Sequence, residues 1–140
     1  MAELPWKSFA QPVPDREYVA ILTYLPLTSF SILPRFFYYS ARIQSQVKSA
    51  PGLIGYSLVA HLLAKRFWTL SVWEDEAALE GFVRQQPHRQ AMISLRRYMR
   101  DSAFTRWKLN SVAVPPRWRE AMEQLPKHAR TEYGSIQRKK

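Results

Sequence analysis

The sequence predicts an α+β fold with the element order β-α-β-β-α-β and one further helix at the C-terminus. Three observations lead to this prediction: short runs rich in β-branched and aromatic residues, longer runs with apolar residues every three or four positions, and prolines or glycines at the junctions. The order is that of the ferredoxin-like fold, in which two helices cover one face of a four-stranded antiparallel sheet.

The length and composition indicate a single domain. A chain of 140 residues has the size of one ordinary domain, and a hydrophobic share of 46% is typical of a globular protein. We predict an extended N-terminal arm at residues 1–17, where prolines interrupt the chain, a single α+β domain at residues 18–125 and a disordered basic tail at residues 126–140. The role of this tail stays open.

The first strand and the first helix lie before the turn at Pro51-Gly52. The run EYVAILTYLPL predicts the strand because it is rich in β-branched and aromatic residues. Residues 29–49 then place apolar side chains at helical spacing, with Pro34 in the first turn. The residues expected on the exposed side of this helix are Arg35, Arg42, Gln46 and Lys48.

The second half of the chain repeats the pattern. Residues 53–63 and 66–73 predict two strands of an antiparallel hairpin. The second helix follows Trp73 and bends or restarts at Pro87, and its acidic start, Glu74-Asp75-Glu76, is interpreted as helix capping. The last elements expected are a strand at residues 104–114 and a short helix at residues 117–125.

One face of the predicted sheet remains apolar after the two helices are placed. The side chains that cannot all be accommodated beneath the helices are Ala20, Leu22, Trp68, Leu70, Val72, Trp107 and Leu109. A second subunit would cover them at the least cost, so we predict a homodimer formed by sheet-on-sheet packing.

The net charge of +10 favours an anionic partner: nucleic acid, a membrane surface or an acidic small molecule. Basic residues are concentrated between Arg84 and Lys108, which we interpret as a solvated helix face, and in the C-terminal tail. The sheet lacks the basic-Gly-aromatic motif of RNA-recognition domains, which disfavours nucleic acid.

The sequence also bears on location. It has no cysteine, which excludes disulfides and thiolate metal sites. The first residues do not form a secretory signal, and the longest uncharged run falls short of the roughly 20 apolar residues that a membrane-spanning helix needs. We therefore predict a cytoplasmic protein without a transmembrane segment.

Two segments carry a family resemblance. The run SAPGLIGYSL joins the first helix to the hairpin, and FWTLSVWEDEAALEGFVRQQPH joins the hairpin to the second helix. Over residues 18–112 the chain resembles the antibiotic-biosynthesis-monooxygenase superfamily of dimeric α/β-barrel proteins. The pairing of APGL with FWTLS is also similar to the spheroidene-monooxygenase relatives, a haem-dependent group that oxidises carotenoids.

The resemblance leaves the cofactor open between none and haem. The family pattern places its tryptophan at Trp73 and its helix histidine at His88. Haem-degrading members carry an asparagine in the first strand and a haem-ligating histidine further along the second helix. Here the first strand has no asparagine, and the ligand position falls near Met92.

Cofactor-free members deprotonate an electron-rich aromatic substrate so that its anion reduces oxygen directly. The resemblance implies His88 as base or proton donor and Trp73 as the residue that holds the substrate. A helix-end role for His88 and a core role for Trp73 remain alternatives. The predicted substrate-binding residues are Tyr24, Phe36, Tyr56, Phe82 and Met92. The histidines lack the spacing of metal ligands, so we predict no metal site.

The sequence therefore predicts a monooxygenase-like protein that acts on a small apolar molecule, aromatic or polyene, in a pocket between sheet and helices. The alternative is a non-catalytic dimeric binder of a hydrophobic ligand or of a partner protein. Whether the protein is an enzyme stays open at this level.

Overall fold

The computed structural model describes residues 2–138 of the chain, with side chains over residues 3–133. One antiparallel sheet contains five strands in the order β1-β3-β4-β2-β5. The strands are β1 (Ala2–Ser8), β2 (Glu17–Pro26), β3 (Leu53–His61), β4 (Arg66–Trp73) and β5 (Ala103–Asn110). The predicted ferredoxin-like α+β fold is confirmed, and β1 is an additional edge strand.

The helices follow the predicted order. They are α1 (Leu33–Val47), α2 (Glu76–Arg84), α3 (His88–Leu95), α4 (Trp118–Met122) and α5 (Lys127–Arg138), and 3-10 turns occupy Phe30–Ile32, Arg96–Tyr98 and Ser111–Ala113. The predicted second helix is divided at Pro87 into α2 and α3. The Asp75 carboxylate accepts a hydrogen bond of 2.8 Å from the Ala78 N–H, which confirms the capping role of the acidic cluster.

The sheet has two faces because side chains alternate along each strand. Val19 of β2 lies opposite Trp73 of β4 on one face, which α1, α2 and α3 cover. We call this the helix face. Leu22 lies opposite Leu70 on the other face, against residues of α4 and α5. We call that side the C-terminal face.

Two apolar clusters fill the space under the helix face. The first joins the N-terminal half of α1 to α3 and consists of Leu27, Ile32, Phe36, Tyr39, Phe67, Ala91 and Leu95. The second lies under α2 and consists of Val19, Leu53, Tyr56, Trp73, Leu79 and Phe82. The helix layer therefore packs over both ends of the central strands.

The C-terminal face is covered by the same chain, which corrects the premise of the predicted dimer. Trp68 and Leu22 are completely buried beneath a short segment that begins in α4 and ends in α5. The covering side chains are Ala121, Met122, Leu125 and Ala129. The sheet therefore does not present the bare apolar face from which sheet-on-sheet pairing was predicted.

Both chain ends also differ from their predictions. The N-terminal arm is not free, because β1 pairs with β3 and places Pro5 at a bulge between Leu4 and Lys7, where a missing N–H is tolerated. The tail predicted to be disordered forms α5, which buries Ala129 against the sheet. Residues 139 and 140 of that tail lie outside the described residues.

Candidate functional site

Three predicted site residues form one row of rings on the helix face. Trp73, which is 1% exposed, ends β4, and its ring centroid lies 5.0 Å from that of Phe82 in α2. The Phe82 ring lies in turn 5.1 Å from the imidazole of His88, the first residue of α3. We call Trp73, Phe82 and His88 the aromatic row. It links the buried end of the sheet to a titratable group at the junction of two helices.

A close approach of α2 to the sheet fixes one side of the row. The turn that follows α1 contains Gly52 with φ of 82°, a left-handed conformation that suits glycine. Its carbonyl accepts a hydrogen bond of 2.7 Å from the Glu74 N–H, just before α2. A Cβ atom on Gly52 would lie 2.6 Å from the Cβ of Ala78. Glycine here allows α2 to sit over Trp73.

Gln46 of α1 fixes the other side of the row. Its Nε2 donates to the carbonyl of Phe82 at 3.2 Å, and its Oε1 accepts from the backbone N–H of His88 at 3.2 Å. One side chain thus provides hydrogen-bond partners for a backbone carbonyl in the last turn of α2 and for a backbone N–H in the first turn of α3. The sequence prediction placed Gln46 on the exposed side of α1 and was wrong, because helical spacing alone does not show a polar side chain bridging two other helices.

His88 is held neutral by its surroundings. Burial lowers its pKa, and the hydrogen bond with the Val83 carbonyl, which favours the charged form, offsets this only in part. The Val83 oxygen, 3.3 Å from Nδ1, can only accept a hydrogen bond, so Nδ1 carries the proton. The Nε2 atom of the neutral imidazole then keeps a lone pair and can accept a proton.

Tyr56 adds a second polar atom to this apolar region. It belongs to the same cluster as Trp73 and Phe82, and its ring stacks on Phe9 with a centroid distance of 5.8 Å. Its hydroxyl is buried without a hydrogen-bond partner among the described residues, and burial raises the pKa of the phenol. An unpaired buried hydroxyl is costly and is suited to bind a polar atom of a ligand.

The remaining predicted site residues do not join the row. Phe36 packs in the neighbouring cluster against Phe67, with a centroid distance of 4.4 Å. Tyr24 lies on the opposite, C-terminal face, because alternation along β2 gives it the orientation of Leu22. Met92 is 50% exposed, because α3 turns Ala91 and Leu95 inward instead. The predicted grouping of Tyr24 and Met92 with Trp73 is therefore wrong.

The aromatic row is closed in this structure. One surface depression is bordered by Ile93, Ser94, Arg96 and Arg97, and another lies between the start of β2 and the acidic start of α2. None of the seven predicted site residues borders either depression. A ligand that reaches both Trp73 and His88 must therefore separate rings that are now in contact.

Haem does not fit these residues. The Trp73, Phe82 and His88 rings are in contact and leave no space for a macrocycle, and Met92 at the expected ligand position faces solvent. The described residues contain no group of three or more histidines and carboxylates that could hold a metal ion. Within the same part of the chain, no helix is both long and apolar enough to cross a membrane.

The helix layer coincides with the match to a known family. Residues 38–93 match the family model described as antibiotic biosynthesis monooxygenase, and this segment runs from α1 to α3. It includes Gln46, Tyr56 and the whole aromatic row. None of the curated proteins matches the sequence.

Solved structures share the fold at low sequence identity. A conserved protein from Methanosarcina mazei Go1 is 13% identical, with 64% of this chain and 90% of that chain covered and a TM-score of 0.57. A dimeric ferredoxin-like protein of unknown function from Thermobifida fusca is also 13% identical, with 69% and 95% covered and a TM-score of 0.55. An antibiotic biosynthesis monooxygenase is 12% identical, with 66% and 96% covered and a TM-score of 0.55.

Fold and site together define a class of protein: a ferredoxin-like α+β domain with an apolar, aromatic site beneath its helix layer. Within that class, residues 38–93 are similar to the antibiotic biosynthesis monooxygenase family. The resemblance predicted from the sequence is thereby confirmed.

Proposed function

We propose that this protein is a monooxygenase-like enzyme that acts on a small apolar molecule, with an aromatic ring as the simplest substrate, at the aromatic row. The observation that carries the proposal is the neutral His88 at the end of that row, with Nδ1 bound to Val83 and Nε2 free to accept a proton. The family match of residues 38–93 supports monooxygenase-like chemistry for the same segment.

His88 is proposed as the base. An electron-rich phenol or related carbon acid becomes a strong reductant once it loses a proton, and its anion transfers electrons to oxygen without help from a metal. Removal of that proton near neutral pH requires a group that is neutral at that pH, and a lowered imidazole pKa provides one. The Tyr56 hydroxyl is proposed to donate a hydrogen bond to the substrate oxygen.

Substrate entry is proposed to displace Phe82. This ring lies between Trp73 and His88, with nearly equal centroid distances of 5.0 and 5.1 Å. A substrate ring in its place would stack on Trp73 and bring a phenolic oxygen toward His88. Phe82 belongs to α2, a nine-residue helix whose C-terminal end is tied to α1 by the Gln46 side chain.

Oxygen uptake by the purified protein tests this proposal. We expect a protein without a Soret band that consumes oxygen when quinols are added. His88→Gln should lower the rate of uptake by a factor on the order of 10² to 10⁴, whereas Tyr24→Phe, on the opposite face, should leave it unchanged. A Soret band that persists through purification would contradict the cofactor-free mechanism, and absence of uptake with all such substrates would contradict the enzyme assignment.

A non-catalytic binder of a hydrophobic ligand is the second candidate. The observation that favours it is that the aromatic row is closed. Among the described residues, His88 is also the one titratable side chain whose ring contacts Phe82, so no second acid or base is paired with it there. A colourless, inert protein whose tryptophan fluorescence shifts on addition of an aromatic ligand would support this function instead.

A homodimer in the cytoplasm remains part of the proposal. The dimeric Thermobifida fusca neighbour supports pairing, although in this chain α4 and α5 occupy the sheet face through which pairing was predicted. A dimer would therefore use another surface or move these helices. Light scattering at micromolar concentration decides the question, and a stable monomer would contradict the dimer.

A further inference from the structure

One end of the molecule carries an exposed apolar patch. Leu62 and Leu63, in the turn between β3 and β4, are 49% and 82% exposed, and Phe30, at the 3-10 turn before α1, is 53% exposed. The two segments are in contact, since the Leu27 N–H donates to the Lys65 carbonyl at 2.8 Å and Lys65 Nζ lies 4.2 Å from the Phe30 ring centroid. We call this patch and its surrounding cations the apolar-basic tip.

The turn presents its leucines rigidly. Hairpin turns favour glycine, asparagine and aspartate, yet residues 62–65 read Leu-Leu-Ala-Lys. The Lys65 N–H bonds to the Leu62 carbonyl at 3.1 Å, and Arg66 Nη1 donates to the Ala64 carbonyl at 3.0 Å. Lys65 has φ of 59°, a left-handed conformation that residues with a side chain rarely adopt. An ordered turn thus holds two leucines in water.

The cations near the tip are not neutralised by carboxylates. Residues 18–73 and 81–100 contain no aspartate or glutamate. Among the described side chains, none of Arg35, Lys65 and Arg97 takes part in a salt bridge. The acidic side chains that do form salt bridges are Glu17, Glu74, Glu76 and Glu80, at the opposite end of the sheet. The salt-bridged carboxylates therefore lie away from the tip, whereas Asp101 and Glu132 act on Tyr24, on the C-terminal face.

Tyr98 joins these cations to the tip. The Arg97 and Arg35 guanidinium carbons lie 5.0 and 5.9 Å from its ring centroid, and its carbonyl accepts a hydrogen bond of 2.9 Å from the Thr28 N–H, next to the start of α1. The hydrogen bond from Arg97 lowers the pKa of the Tyr98 phenol. Asp101 follows shortly after, but its carbonyl contacts the His128 ring nitrogen at 2.9 Å, on the side of α5.

We propose that the apolar-basic tip docks on the surface of an anionic lipid bilayer. Exposed aliphatic and aromatic side chains enter the boundary between headgroups and acyl chains, while lysine and arginine attract the headgroup charge. Leu63 and Phe30 provide the exposed apolar side chains, and Lys65, beside the Phe30 ring, provides a positive charge next to them. Nucleic acid would use the cations but would leave the leucines in water, so a lipid surface satisfies both features of the tip. The inference does not depend on the proposed enzymatic function.

Co-sedimentation of the full chain with phosphatidylcholine vesicles, with and without phosphatidylglycerol, tests the proposal. We expect binding only to the vesicles that contain phosphatidylglycerol. Leu63→Ser should weaken it about tenfold because the inserted side chain is lost. Arg97→Gln should weaken it about fivefold, the usual effect of one basic residue at an anionic surface.

Two matched variants separate the tip from the rest of the chain. Val112→Ser removes a side chain that is 90% exposed at the acidic end of the sheet, and Arg130→Gln removes a charge from α5; both should bind like the wild type. Binding that is unaffected by Leu63→Ser would overturn the proposal and indicate attraction by charge alone. The proposal is also overturned if no vesicle binds, if RNA binds through Leu63, or if Leu63→Ser changes only self-association in sedimentation velocity.

Discussion

The two faces of the sheet are covered by different parts of the chain. The helix face lies under α1, α2 and α3, which overlap residues 38–93, the stretch that matches the antibiotic biosynthesis monooxygenase model. The C-terminal face lies under α4 and α5, outside that stretch. The titratable base candidate and the unpaired Tyr56 hydroxyl are on the helix face. The difference teaches that the family match and the cover of the second sheet face lie in separate parts of this chain.

The first prediction tests whether the C-terminal face depends on its covering helices. Met122→Asp places a charge in a site that is 5% exposed and should destabilise the fold by about 4 kcal/mol, because an unpaired buried charge is strongly unfavourable. Met92→Asp, the same change at a side chain that is 50% exposed, should alter stability by about 0.5 kcal/mol or less. Urea denaturation measures both. Equal effects would contradict the covering role of α4.

The second prediction concerns the approach of α2 to the helix face. Gly52→Ala should cost about 3 kcal/mol, because it combines a left-handed backbone with a clash against Ala78. Gly81→Ala, in α2 itself with open space around it, should instead stabilise by about 0.5 to 1 kcal/mol. Thermal unfolding compares the two variants. A Gly52→Ala protein as stable as the wild type would show that α2 does not lie so close to the turn.

The third prediction concerns the bridge between α1 and the aromatic row. Gln46→Ala removes both hydrogen bonds that hold Phe82 and His88, with an expected loss of about 1 to 2 kcal/mol. Gln44→Ala, two residues earlier on the exposed side of the same helix, should change stability by at most about 0.5 kcal/mol. If both variants unfold at the same denaturant concentration, the bridge contributes nothing.

The fourth and smallest effect is a pH dependence due to His88. Its folded pKa lies below the unfolded value of about 6.5, so the unfolded chain binds the proton more readily. The contribution of the buried neutral His88 to the free energy of unfolding is complete above the unfolded pKa. It decreases as the pH falls toward the folded pKa. His88→Gln should remove this decrease. A melting temperature that depends on pH identically in both proteins would contradict the burial of His88.

The helix face was largely predictable from the sequence. Periodicity located α1, the PG turn set the hairpin, and Pro87 marked the break between α2 and α3. Trp73 and His88 were selected as site candidates through their positions in a segment that resembles the family, and ring contacts through Phe82 connect them. Gln46 was missed because its role depends on the distance between three helices, which helical spacing does not encode.

The C-terminal face was not predictable in the same way. The segment that forms α5 is rich in charged residues, so its composition indicated disorder, whereas a few small side chains such as Ala129 suffice to pack against a flat sheet. Met92 was preferred over Ala91 as an inward residue because large apolar side chains dominate periodicity arguments. The structure turns the smaller residue inward, which permits close contact between α3 and α1.

Quinol-dependent oxygen uptake in three proteins tests most directly whether the chemistry belongs to the helix face. The wild type and Tyr24→Phe, which changes the C-terminal face, should consume oxygen at the same rate. The rate of His88→Gln should be lower by a factor on the order of 10² to 10⁴, as is typical when a general base is removed. Undiminished uptake by His88→Gln, or loss of uptake in a folded Tyr24→Phe protein, would contradict this assignment.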